Sequence, residues 1–221
     1  RDRSVSRGLG DVYKRQRLSY SYIEAGKQRM LLDKDIREPL FEYLEEQHDK
    51  VRILEEKTMG RSRADVVMVL EEEVVGVEIK SDADTYARLS RQVKDYDRFF
   101  DRNLVVVGTS HAHHVAEHIP DYWGIITVEE QGENCDFYML REALENPKKK
   151  MIHKIRLLWR PELAHIQEIN GMPAYKQKSK DFVQKKILEK IPEEVLQKQI
   201  SDELFERDYT TIQETIRKFK R

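Results

Sequence analysis

Two carboxylates and an amine stand where two short apolar runs would bring them together. Asp65 opens the run Arg63-Ala64-Asp65-Val66-Val67-Met68-Val69-Leu70, and Glu78-Ile79-Lys80 closes the run that begins at Val74. Both runs are rich in β-branched residues, and Glu71 to Glu73 form a polar break between them, so the pair reads as a β-hairpin. A turn centred between Glu71 and Glu72 sets Asp65 opposite Glu78 and Arg63 opposite Lys80, each pair projecting to one face. The other face then carries Ala64 with Ile79, Val66 with Val77 and Met68 with Val75. It is apolar throughout, which independently favours this register.

Directly opposed carboxylates repel, and at the ends of apolar strands they are partly desolvated as well, so a cation is needed between them. Lys80 is one. A hard divalent ion held by carboxylate oxygen, backbone carbonyl and water is another. On spacing alone a surface ion-pair cluster accounts for the same residues, in a chain of which 37% is charged.

The elements that must position these groups follow directly. Over Thr85 to Arg102 the stripe Tyr86, Leu89, Val93, Tyr96 and Phe100 predicts a helix, with Gln92 one turn before Tyr96 and Arg88 a turn earlier. Entered from the Lys80 strand, that helix lays Gln92 near the carboxylates. Core packing is the alternative for Tyr96, and a solvated helix edge for Gln92 and Arg88. Leu104 to Gly108 then reads as a buried strand.

An acid, about a dozen residues, Glu-x-Lys on the next strand, and a helix bearing Gln-x-x-x-Tyr together resemble the PD-(D/E)XK nuclease superfamily, whose RecB-like members share the last element. The pattern falls on Asp65, Glu78, Lys80, Gln92 and Tyr96, with Ala64 where the family has proline. The resemblance covers roughly residues 33 to 128 and implies an α/β fold. Its restriction-endonuclease-like core would be a central mixed β-sheet flanked by helices in the order α-β-β-β-α-β. The resemblance further implies a nuclease that hydrolyses phosphodiester bonds in DNA, for repair, recombination or defence. Asp65, Glu78 and the backbone carbonyl of Ile79 would hold Mg²⁺ or Mn²⁺, Lys80 and Gln92 would act on the attacking water, and Tyr96, Arg88 and Arg63 would support them. A module that keeps this fold only to bind nucleic acid or a partner is the alternative, and an enzyme acting on another phosphoester is a third.

Some relatives add a helix carboxylate to the site, and Glu38 is the nearest acid for that role. Asp35 with Glu38 also reads as an N-cap and its capping-box acid, with Pro39 in the first turn. Glu55 and Glu56, beyond the strand Val51 to Leu54, read as hairpin-edge charges. His111, His113, His114 and His118 lack a metal-binding spacing and read as a polar loop and short helix start.

Residues 1–16 begin without Met and follow neither structural period, which marks them as a non-native leader. The nuclease-like domain is expected over 17–147. Residues 148–221 are expected to form a small helical C-terminal module, either a bundle or winged-helix-like. Net charge divides along the same boundary: residues 17–147 carry 17 Lys and Arg against 28 Asp and Glu, whereas 148–221 carry 18 against 11. Affinity for DNA depends on neutralising phosphates, so an acidic core needs its metal and local basic residues to hold DNA. Cys135 is the single cysteine, which excludes an internal disulfide, and no apolar run reaches membrane-spanning length. A cytoplasmic bacterial protein without membrane contact is expected, and a homodimer is compatible with this reading.

Overall fold

The computed structural model describes residues 31–132 and 134–207. The expected leader, and the rest of the N-terminal segment through Met30, lie outside the described residues.

Helix α1 (Asp33–Glu46) precedes the strands β1 (Arg52–Met59), β2 (Ser62–Val69) and β3 (Val74–Lys80). A 3₁₀ turn at Tyr86–Arg88 leads into α2 (Leu89–Phe99), followed by β4 (Arg102–Gly108), β5 (Gly124–Gln131) and β6 (Asn134–Arg141). The six strands form one mixed sheet in sequence order, with β3, β4 and β5 parallel and the remaining neighbours antiparallel. From α1 to β4 this is the α-β-β-β-α-β order of the expected nuclease-like core. Every residue of β3 is buried, as a central strand covered on both faces requires.

The hairpin register is the expected one. Val66 faces Val77, Met68 faces Val75, and Leu70 N–H donates to the Glu73 carbonyl at 2.9 Å to close the turn. Val66, Met68, Val75, Val77 and Ile79 pack with Ile36, Leu40 and Leu44 of α1. On the opposite face Val67, Val69 and Val74 pack under α2. Ala64 is a correction to the expected pattern, because it joins the α2 side with Val67 rather than the α1 side with Ile79. The β2–β3 pairing ends at Val66 and Val77, and β2 turns away before Ala64.

Gly76 sets how closely α2 approaches the sheet. A Cβ there would lie 2.3 Å from a ring carbon of Phe100 and 2.6 Å from one of Tyr96. Both contacts are far inside van der Waals range, so the absent side chain is what admits the two rings.

The start of α1 also departs from the expected cap. Leu32 is the N-cap, and Asp35, three residues on, accepts from its backbone N–H at 3.1 Å. Asp35 is therefore the capping acid, which puts Glu38 and Pro39 beyond the first turn. Pro39 leaves the Asp35 carbonyl without its usual helical donor, and the Cys135 thiol sits 3.7 Å from that oxygen.

C-terminal to the sheet come α3 (Met151–Lys154), a 3₁₀ turn at Ile155–Leu157, α4 (Arg160–Ile169), α5 (Lys180–Lys190) and α6 (Glu193–Phe205). Among the described residues this region contains helices and no β-wing. Ile155, Leu163, Ile166, Ile187 and Leu204 of this region share one buried cluster with Val67, Val105 and Tyr96. Asn146 is buried and donates to the Asp97 and Phe100 carbonyls at 2.8 and 2.7 Å. Among the described residues no helix is long and apolar enough to cross a membrane.

Candidate functional site

The site forms where β2 and β3 part. Alternation along the hairpin makes Ala64/Ile79 the next pair that would exchange backbone hydrogen bonds after Val66/Val77. With Ala64 turned away, the Ile79 N–H donates instead to Asp65 Oδ2, at 2.9 Å. The carbonyl of a strand residue lies on the same edge as its N–H, so the Ile79 carbonyl also borders this gap. The strand-end divergence thus gathers Asp65, Glu78 and the Ile79 main chain.

Glu78 is fully buried. Its Oε1 accepts from Lys80 Nζ at 2.6 Å and from Gln92 Nε2, and its Oε2 accepts from the Tyr96 hydroxyl at 2.8 Å. The Tyr96 hydroxyl also lies 3.2 Å from the Val77 carbonyl and 3.3 Å from the Asp65 amide, so one phenol ties both strands to α2. Burial, and then the charge of Glu78, push the Tyr96 hydroxyl well above its usual pKa, which keeps it a donor. Lys80, 4% exposed, brings one positive charge to the carboxylate pair. An ammonium has three donors, so two remain after its bond to Glu78.

Asp65 differs sharply from a surface aspartate. Burial first, and the neighbouring Glu78 charge second, raise its pKa to about 7, against the opposing pull of the Ile79 amide and Lys80. Its second oxygen, Oδ1, accepts no hydrogen bond from any described residue. Gln92 Oε1 is buried and has no donor among the described residues. The site therefore has spare oxygen acceptors beside two acids, which is the donor chemistry a hard divalent cation takes. Among the described residues no three His, Cys, Asp or Glu side chains are grouped to hold a metal ion. Asp65, Glu78, the Ile79 carbonyl and Gln92 Oε1, completed by water, are the groups that could hold a hard divalent cation, which is commonly bound through one or two carboxylates.

The remaining expected residues are not gathered here. Arg63 is exposed and pairs with Glu56 at 3.2 Å rather than standing across from Lys80, because β2 has already left β3. Arg88 is exposed, one turn before Gln92. Glu38 is exposed on α1 and makes no hydrogen bond or ion pair with the site. Glu55 and Glu56 lie within β1, not beyond it. The His111 and His118 rings lie tilted against Tyr86, with centroids 4.9 and 4.2 Å from it, and His114 lies 3.5 Å from Glu117, as in a polar loop.

Sequence reasoning missed Arg37 and Asp33. The Arg37 guanidinium donates to the Asp65 carbonyl at 3.2 Å, to Asp33 Oδ2 at 2.9 Å and to Glu55 Oε2 at 3.5 Å, so it joins α1, β1 and β2 behind the site. Asp33, and not Glu38, is the α1 acid whose charge is felt at Asp65. Their spacing of four residues on a predicted helix was the available signal, but it marks an ordinary helix ion pair equally well.

A structure of Pyrococcus furiosus SfsA in complex with Ca²⁺ is similar at 14% identity and a TM-score of 0.30, over 48% of this chain and 59% of that one. The curated proteins contain no match to the sequence. The family described as Bacteriophage P4 protein cII matches residues 27–220, nearly the whole chain, and this protein belongs to that family.

Proposed function

We propose that this chain is a metal-dependent nuclease of the PD-(D/E)XK type, hydrolysing phosphodiester bonds in DNA. The observation that carries the reading is the surplus of oxygen acceptors at the parted strands: Asp65 Oδ1 and buried Gln92 Oε1, both without donors among the described residues, beside fully buried Glu78.

Asp65, Glu78, the Ile79 carbonyl and Gln92 would hold Mg²⁺ or Mn²⁺. Such an ion, when bound, supplies a more acidic water and offsets charge on the scissile phosphate. Tyr96 fixes the Glu78 carboxylate, and Lys80, anchored on the same carboxylate, keeps N–H groups for the attacking oxygen or a phosphate oxygen. Arg37 holds the Asp65 backbone and thereby the direction of its carboxylate.

The test is incubation of purified protein with supercoiled, linear and single-stranded DNA in Mg²⁺ or Mn²⁺. Cleavage is expected, together with its loss in Asp65→Asn and in Lys80→Ala at unchanged circular dichroism. Cleavage that survived both substitutions would sink the proposal.

One observation favours the non-catalytic alternative: both Glu78 oxygens are already engaged by Lys80, Gln92 and Tyr96. DNA binding without turnover in either metal, unchanged in Glu78→Ala, is the outcome that selects it.

A further inference from the structure

Helix α2 sorts its charges completely. Its two acids point inward: Asp95 is 6% exposed and accepts from Ser62 Oγ at 2.6 Å, and Asp97 is 3% exposed and accepts from Trp123 Nε1 at 2.9 Å and the Tyr122 hydroxyl at 2.8 Å. Its exposed side chains are Ser90, Arg91, Lys94 and Arg98, and exposed Arg88 immediately precedes it. Arg98 lies 3.8 Å from Asp95, whereas Arg88, Arg91 and Lys94 have no carboxylate partner among the described residues.

This arrangement works against the helix. Arg88, Arg91, Lys94 and Arg98 succeed one another at spacings of three or four residues, where like charges destabilise a helix. Arg88 and Arg91 also stand at the N-terminal end, where the helix dipole disfavours cations. The surrounding segment is rich in acids that could have been paired with them, with 28 Asp and Glu in residues 17–147. A merely solvated face gains nothing from these costs, whereas a bound polyanion removes them.

The positive surface continues past the C-terminal end of the helix. Lys150 N–H donates to the Arg98 carbonyl at 3.1 Å, and the His153 ring packs 5.5 Å from Phe99. Burial, and then Arg156, Arg98 and Lys150, depress the His153 pKa against the opposing charge of Asp95, so these three cations act on the same ring. At the other end Arg88 is one turn from Gln92, which touches Glu78. From Arg88 to Arg98 the helix runs about 15 Å.

We propose that the outer face of α2, from Arg88 through Arg91, Lys94 and Arg98 to Lys150 and Arg156, is the track on which a nucleic-acid phosphodiester backbone lies as it leaves the Asp65/Glu78 site. The assignment of a nucleic acid rests on the nuclease reading, whereas the track itself rests on the charge sorting. Binding here depends on counterion release, so it weakens steeply with salt.

The test measures affinity for fluorescent duplex and single-stranded DNA across a salt series, for wild type and for Arg91→Ala/Lys94→Ala/Arg98→Ala. The triple variant is expected to flatten the slope of log affinity against log salt by about 2 to 3 on duplex and to weaken binding at least about tenfold. Its Mn²⁺ affinity should stay unchanged. Arg91→Ala/Lys94→Ala, which breaks no ion pair, guards against a folding artefact and should lose an intermediate amount. Lys34→Ala/Lys176→Ala/Lys190→Ala removes equal charge elsewhere and should keep the wild-type slope. Equal weakening in that control, an unchanged slope in the triple variant, or wild-type binding to anionic phospholipid vesicles in place of DNA would overturn the track. DNA bound along α2 without cleavage in either metal would instead remove the nuclease reading and leave the track standing.

Discussion

At the scale of single residues, the candidate site is held by groups that stand behind it rather than in it. Arg37 bonds the Asp65 carbonyl from behind while Asp33 and Glu55 hold its guanidinium. Supports of this kind typically change metal affinity 10- to 100-fold. Arg37→Met is expected to weaken Mn²⁺ binding about tenfold or more by titration calorimetry at unchanged stoichiometry, with Arg37→Lys recovering part of it. A purely structural arginine would lower the melting temperature and leave Mn²⁺ affinity alone. Lys57 offers a separate check on burial. Desolvation first, and then the nearby Arg207, lower its pKa to about 8, and its ammonium lies 5.4 Å from the centroid of the Trp159 ring. Between about 8 and the ordinary lysine value of 10.5 the folded chain therefore binds fewer protons than the unfolded chain. Stability should rise with pH through that window, by at most about 1.4 kcal/mol per unit. Urea denaturation at several pH values should show this rise in wild type and its loss in Lys57→Met.

At the scale of elements, α2 faces two ways. Leu89, Val93, Tyr96 and Phe99 bind it to the sheet, Gln92 and Tyr96 reach Glu78, and its outer positions carry the cations. Its close approach depends on Gly76. Gly76→Ala should push the Tyr96 and Phe100 rings away, at about 1 to 3 kcal/mol in urea denaturation, the usual cost of overpacking. Because the Tyr96 hydroxyl anchors Glu78, the same change should weaken Mn²⁺ binding. Unaltered metal affinity in a destabilised Gly76→Ala would uncouple the packing of α2 from the geometry of the site.

At the scale of the whole molecule, the C-terminal helices complete the core on the α2 side of the sheet. Lys154 of α3 pairs with Asp101 at 2.5 Å, and the same Asp101 oxygen accepts from the Val74 amide at 2.7 Å, which links α3 to the start of β3. Arg207, fully buried, pairs with Glu162 of α4 at 2.5 Å, and its carbonyl accepts from Arg52 of β1. A chain ending at residue 147 would strip the apolar cover from the α2 side of the sheet and leave Asp101 without Lys154 and Lys149. Such a chain is expected to aggregate or to unfold without a cooperative transition. A sharp melt for it, comparable with that of the full chain, would show that the first 147 residues fold alone.

The sequence by itself determined what depends on local period. Alternation in Val66–Val69 and Val74–Val77 specified the hairpin register, because a one-residue slip would expose the apolar face. The helical stripe from Leu89 to Phe99 set Gln92 and Tyr96 on the edge that reaches Glu78. Only the tertiary structure decided where β2 leaves β3, which moved Ala64 to the other face, sent Arg63 to Glu56 and freed the Ile79 amide for Asp65. It also decided that Leu32 caps α1, that Arg37 rather than Glu38 reaches Asp65, and that residues 151–205 share the core. The physical reason is range. Periodicity records which face of one element is buried, whereas the partner that buries it and the point where two strands part are fixed by contacts between residues far apart in the chain.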